Sequence, residues 1–163
     1  MQRVTHMEFE IIAKRAGDKA SLPQEIVEKC LDIACRAHNG QRDRDGNAVI
    51  LHPLMVGSMG KTDAEKCAGF LHDVVEDTNW TFKDLEHEGV PSDIIEILKL
   101  LTHDKTTDYY DYVQHIIDSG NITAINVKRN DLTHNIARGR AFGYEELIKK
   151  HSKALEMLET VLQ

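Results

Sequence analysis

From residue 22 onward, apolar residues recur three and four positions apart, in runs separated by residues that start or stop helices, and no alternating apolar–polar stretch is long enough for a useful strand. That periodicity selects an all-α fold. Ser21 and Gln24 have the spacing of a helix start, and the apolar face of Ile26, Cys30, Ile33 and Ala37 that follows should end near Asn39-Gly40. Thr62 and Glu65 open a second helix expected to run to about Glu76. Thr81 caps a short turn through Leu85, Ser92 opens a run to Leu101, Thr107 precedes one from Tyr109 to Ile117, and Asn121 caps one through Leu132. Gly139 and Gly143 are expected to separate that helix from a last one over residues 143–163, and a weaker pattern through Phe9 and Ile12 suggests an extra helix in residues 1–17. No repeat, low-complexity tract or long linker divides the 163 residues. One compact helical domain over 1–163 is therefore expected, long enough to bury about 70% of its unfolded surface without staples.

Charge narrows the function classes. With 20 Lys+Arg against 27 Asp+Glu the formal charge is −7, which argues against broad binding to nucleic acid or to an anionic membrane. No run of about 18 apolar residues and no apolar leader is present, so a cytoplasmic location is expected. Cys30, Cys35 and Cys67 are an odd count without C-x-x-C spacing and read as reduced, helix-packed thiols. The 9 histidines carry more information, because imidazole is the commonest metal ligand and titrates near neutrality.

Three segments concentrate the polar chemistry. A glycine-bracketed charged loop, Gly40 to Asn47, leads to His52-Pro53, where the proline suits a first helical turn and sets His52 at a helix entry. His72-Asp73 is followed by Glu76 and Asp77 at helical spacing, crowding three carboxylates and an imidazole at one helix end. Such a group repels itself unless a cation or the counterion of a substrate sits among them. The dipeptide alone is weak, since about 0.8 His-Asp pairs are expected by chance in this composition, and His103-Asp104 is read as such a decoy. In the third segment Asp131 and Asn135 stand i,i+4 with His134 beside them. Together His52, His72, Asp73 and Asp131 form an N/O donor set from three helices, suited to manganese, iron or zinc with open positions rather than to a closed structural zinc.

The order His … His-Asp … Asp resembles the signature of the HD phosphohydrolase superfamily. The loop is similar to G-Q-x-R-x-x-G-x-P-Y-x-x-H-P, and His72 through Thr78 match the H-D-V-V-E-D-T of the alarmone (ppGpp) hydrolase branch typified by Rel/SpoT enzymes. Ala37 through Gln41, Gly46, His52-Pro53, Val127-Lys128, Asp131, His134 and Asn135 fall in register, so the resemblance covers about residues 22–140. It implies a compact HD-domain helical bundle in which His52, His72, Asp73 and Asp131 bind one divalent metal, usually manganese, with iron, zinc, cobalt or nickel as alternatives. It further implies that Glu76 and Asp77 position and deprotonate the attacking water, that Asn135 lines the nucleotide site, and that the substrate is a nucleotide such as ppGpp.

The departures fall on substrate contacts. The loop arginine of the family falls at Asp43, flanked by Arg42 and Arg44, its Pro-Tyr is Ala48-Val49, and its K-L-A-D-R-L is Lys128-Arg129-Asn130-Asp131-Leu132-Thr133. Arg42, Arg44 and Lys128 are the cations expected to hold the phosphates, with Lys61 also near in sequence. No chain remains for the synthetase domain of the long bifunctional enzymes, so the expected alarmone activity is hydrolytic only. Two alternatives stay open: hydrolysis of another phosphorylated nucleotide, and a non-catalytic nucleotide-binding sensor module, against which the retention of both Glu76 and Asp77 speaks.

Overall fold

The computed structural model describes residue 22 and residues 24–162, and among them it contains nine helices. They are α1 (Gln24–Ala37), α2 (Leu51–Ser58), α3 (Asp63–Leu71), α4 (Val74–Asp77), α5 (Phe82–His87), α6 (Ser92–Leu101), α7 (Tyr109–Asp118), α8 (Ile122–Phe142) and α9 (Glu145–Glu159). Among the described residues the only β pairing is an isolated antiparallel bridge between Arg42 and Ala48, inside the charged loop. The expected helix in 1–17 and the Ser21 start lie outside the described residues.

The helices share one core. Ile33, Leu71, Leu98, Ile116, Leu132 and Leu158, drawn from six helices, are essentially inaccessible, and each such side chain contributes about 1.5–3 kcal/mol relative to exposure. Helix α8 runs through the middle and packs against α2, α3, α6, α7 and α9. It therefore buries more than one stripe, including Lys128, Asn130 and Asp131. Polar residues in such a place need partners, and they fix where the chemistry can be. No helix among the described residues is long and apolar enough to cross a membrane.

Local signals act as expected at several ends. Thr81 and Asp84 form a reciprocal capping box, and Asn121 Oδ1 accepts the Ala124 N–H at 3.0 Å. Thr62 accepts the Glu65 N–H, but the Glu65 carboxylate turns to the Lys61 N–H and to Asn126 of α8, tying the start of α3 to the central helix. The cap of α7 is Asp108, not Thr107.

Two boundaries differ from the sequence expectation. The helix opened by Thr62 does not run unbroken to Glu76: it stops at Leu71, turns through His72 and Asp73, and restarts as α4. The His72 backbone keeps right-handed helical dihedrals (φ −59°, ψ −29°) and Asp73 departs from them (φ −99°, ψ −4°), so the chain turns between the two helices at these two residues. Gly139 does not end a helix either. Helix α8 continues to Phe142 and ends at Gly143, whose φ of 75° is left-handed. Gly139 instead lets α9 close in, since a Cβ there would stand 2.8 Å from Ile148 Cγ1.

The tightest approach is between α2 and α3. A Cβ on Gly69 would lie 2.7 Å from the Gly57 Cα and 2.8 Å from its nitrogen. Backbone cannot yield there as a flexible side chain would. Gly69→Ala is therefore expected to destabilise the fold by about 2–3 kcal/mol, the upper part of the overpacking range, as a lowered urea midpoint at unchanged slope. An unchanged midpoint would refute this packing.

Candidate metal centre

Helix α2 brings His52 from its first turn, the α3–α4 break brings His72 and Asp73, and α8 brings Asp131. His52, His72 and Asp73 each offer a donor atom within 4.8 Å of one another. Asp131 Oδ1 stands 3.0 Å from His52 Nε2 and 3.6 Å from His72 Nε2, and Asp73 Oδ2 lies 3.7 Å and 3.2 Å from the same two nitrogens. The four residues that sequence reasoning grouped are thus brought to one point.

The donor set fits a cation. His72 Nδ1–H donates to the Gly69 carbonyl at 2.6 Å, which in the neutral ring leaves a lone pair on Nε2. That atom is fully buried and has no hydrogen-bond partner, although two carboxylate oxygens lie within 3.6 Å. A lone pair facing anionic oxygens is repulsive unless a proton or a metal ion lies between them. Without a metal a proton does so: burial opposes the charge, but Asp73 and Asp131 outweigh it and hold the His72 imidazole well above its ordinary pKa. The cluster lacks sulfur, as expected for a hard or borderline divalent ion.

Surrounding groups orient the donors. Lys128 Nζ lies 2.9 Å from Asp131 Oδ2 inside the protein and faces the rings of Tyr109 and Tyr112, while Asn135 Nδ2 donates to Asp131 Oδ1 at 2.7 Å. Both are residues expected to meet substrate, and both line the cavity while holding Asp131. His134 Nδ1 stands 2.7 Å from His52 Nδ1. Burial and the neighbouring His52 and Arg138 push the His134 pKa down to about 4, so it is a neutral acceptor at pH 7. His52 Nδ1–H can then donate to it, which leaves Nε2 facing the cluster, 3.0 Å from Asp131 Oδ1.

Beside the cluster, Asp73, Glu76 and Asp77 form a second acidic group within 4.8 Å. Glu76 Oε1 accepts the His103 backbone N–H at 2.7 Å, leaving Oε2 free. Burial raises the carboxyl pKa values of both Glu76 and Asp77. The Asp77 carbonyl is held by Gln41 Nε2, whose own Oε1 lies 2.8 Å from His38 Nδ1. The His103 ring stacks on Tyr112 and its Nε2 meets the Thr107 carbonyl, while its backbone N–H anchors Glu76.

The four clustered residues, Glu76, Asp77, Lys128 and Asn135 line a cavity of about 340 Å³ that also includes Tyr109, Tyr112, Arg138, Lys150 and His151. No local spacing in the sequence connects Tyr109, Tyr112, Lys150 or His151 to the motifs. Arg42 and Arg44 do not line it, and Arg44 lies 4.0 Å over the Tyr144 ring.

The helix order and the assembled cluster can be set against known proteins. No protein-family model matches the chain. It is similar to the bifunctional (p)ppGpp synthase/hydrolase SpoT of Escherichia coli, 31% identical over 157 residues that cover 85% of this chain and 21% of SpoT. The solved structure of a metazoan SpoT orthologue, described as hydrolysing ppGpp, matches 85% of this chain and 96% of its own at a TM-score of 0.60 and 21% identity. The fold is the all-α HD-domain fold of that structural neighbour. A GTP pyrophosphokinase of Streptomyces coelicolor is 36% identical over 76 residues, covering 44% of this chain and 9% of that protein. The chain thus spans about a fifth or less of these curated relatives.

Asp131→Ala, 58 residues after Asp73 in sequence, is expected to abolish stoichiometric divalent metal in the purified protein, because it removes a donor and strands Lys128. His103→Ala keeps its backbone N–H and should leave metal content unaltered. Elemental analysis decides, and full metal occupancy in Asp131→Ala would count against the three-segment site.

Proposed function

We propose that this chain is a metal-dependent phosphohydrolase acting on a nucleotide, with guanosine 3′,5′-bis(diphosphate) as substrate and its 3′-pyrophosphate as the group removed. One observation carries this reading: the unpartnered, buried Nε2 of His72 faces two carboxylates beside the acidic pair Glu76 and Asp77 on one cavity wall. A pure binding module has no use for such a pair. Similarity to SpoT over most of the chain, and to a structure described as hydrolysing ppGpp, supports the hydrolytic choice and the nucleotide.

In this reading His52, His72, Asp73 and Asp131 hold one divalent ion, manganese being our assignment. When bound, such an ion supplies Lewis acidity and lowers the pKa of its water. The protein supplies the rest. Glu76 accepts the proton of the attacking water at Oε2, since Oε1 is engaged by His103, and its burial-raised pKa makes it a stronger base than an exposed glutamate. Asp77, its backbone fixed through Gln41, orients that water from the other side. Asn135 sits between Asp131 and the cavity, where its amide oxygen remains available to a nucleotide. Lys150, which makes no ion pair among the described residues, offers a cation to a phosphate. Asp43 and Val49 at family substrate positions favour a second reading, hydrolysis of a different phosphorylated nucleotide by the same machinery.

Glu76→Gln preserves shape and removes the base. Turnover of ppGpp with manganese should fall by about two to four orders of magnitude while metal stays bound. Parallel loss of metal would make Glu76 a ligand, and near-normal turnover would end its role. Cleavage by the intact chain of nucleoside monophosphates alone, in a panel with ppGpp and 3′-phosphorylated nucleotides, would replace the alarmone by another substrate.

A further inference from the structure

The loop that in the resembling family carries an arginine carries an aspartate here, and the structure shows what that aspartate holds. Asp43 Oδ1 accepts the N–H groups of Asp45 and Asn47, both at 2.9 Å, so the carboxylate is fixed by its own loop. Its Oδ2 accepts from Arg138 Nη2, also at 2.9 Å. Asp43 and Arg138 both line the cavity, whereas the loop's own arginines do not. The charges are inverted: the loop supplies the anion and α8 the cation.

Arg138 is placed to meet a ligand. It follows Asn135 by three positions on α8 and so shares its face, and it lies seven residues past Asp131, about 10 Å along the helix axis. Its side chain remains one-third exposed, and one Nη is spoken for while the other N–H groups of the guanidinium fork are not. Lys128, by contrast, is buried against Asp131. A part-exposed ion pair adds little to stability, but an arginine held still by a carboxylate loses less entropy when it grips a phosphate.

Resting on the phosphohydrolase reading above, we propose that Arg138 binds the phosphate on the far side of the nucleoside from the scissile group, with Asp43 as the residue that aligns its guanidinium. The substrate class this selects is a nucleotide phosphorylated on both sides of its ribose. A nucleoside 3′-monophosphate reaches the cluster without touching Arg138.

The test measures ppGpp binding by calorimetry in the metal-loaded Glu76→Gln protein, which removes turnover from the readout. Adding Arg138→Gln should weaken binding roughly tenfold or more, and adding Asp43→Asn by a smaller factor, as expected for loss of a charge-assisted contact and of its aligner. The reversed pair, Asp43→Arg with Arg138→Asp, should not restore affinity, because the loop N–H groups lose their acceptor and the cation leaves α8, whereas a merely structural ion pair would be rescued by the reversal. In the otherwise intact enzyme, Arg138→Gln should raise KM for ppGpp with kcat nearly unchanged and leave nucleoside 3′-monophosphate kinetics alone. Arg138→Lys, retaining the charge, serves if the glutamine variant does not fold, and should bind several-fold more weakly than the parent. Equal affinities for Arg138→Gln and parent, equal weakening of mono- and bis-phosphorylated ligands, or no ppGpp binding by the parent would each overturn the proposal. Arg138-dependent ppGpp binding by an intact chain that does not turn it over would instead remove the catalytic reading and leave this one standing.

Discussion

The carboxylate of Asp131 is a charge taken out of water, and the centre of the molecule is organised around compensating it. A buried ion costs several kcal/mol unless its partners are close and well aligned. Here Lys128 takes one oxygen, Asn135 and His52 the other, and His72 stands next to it. Burial alone would raise the acid's pKa, yet Lys128 and the two imidazoles hold it well below the ordinary carboxylate range. Lys128 in turn is tolerated inside only because Asp131 and two tyrosine rings face it. Removing Asp131 or Lys128 leaves the charge of the other uncompensated in the interior.

Helix geometry makes that convergence achievable. Helix α8 is buried on several sides, and its polar turn is therefore presented to α2 and to the α3–α4 break at once. The Gly57–Gly69 contact draws α2 onto α3, and the carbonyl of the same Gly69 fixes the ring of His72. One glycine thus serves both the packing distance and the tautomer. The turn after Leu71 carries Asp73 to the same point as His72, Oδ2 lying 3.2 Å from Nε2.

The motifs that carried the reading are local, and what they specify locally was legible. Periodicity and caps gave all-α structure from Gln24 onward, and donor types at His52, His72, Asp73 and Asp131 marked a candidate cation site, because donor chemistry is written in residue identity. Boundaries were less legible. Gly139 reads as a stop signal in sequence, but its reason is the approach of Ile148 from α9, which no neighbouring residue announces. Thr107 and Asp108 are both good caps, and only backbone geometry chose between them.

By itself the sequence determined most of the helices, the candidate donor residues and the acidic pair, since each depends on spacings of four residues or fewer or on side-chain chemistry alone. Tertiary structure decided what depends on separation in space. It turned Tyr109, Tyr112, Lys150 and His151 to the same cavity as the metal donors, set Arg44 on Tyr144 away from it, and paired Asp43 with an arginine 95 residues distant. The reason is physical. Electrostatic and steric complementarity act over a few ångströms of space whatever the distance along the chain, so the residues that complete the pocket carry no mark of it in their own neighbourhoods.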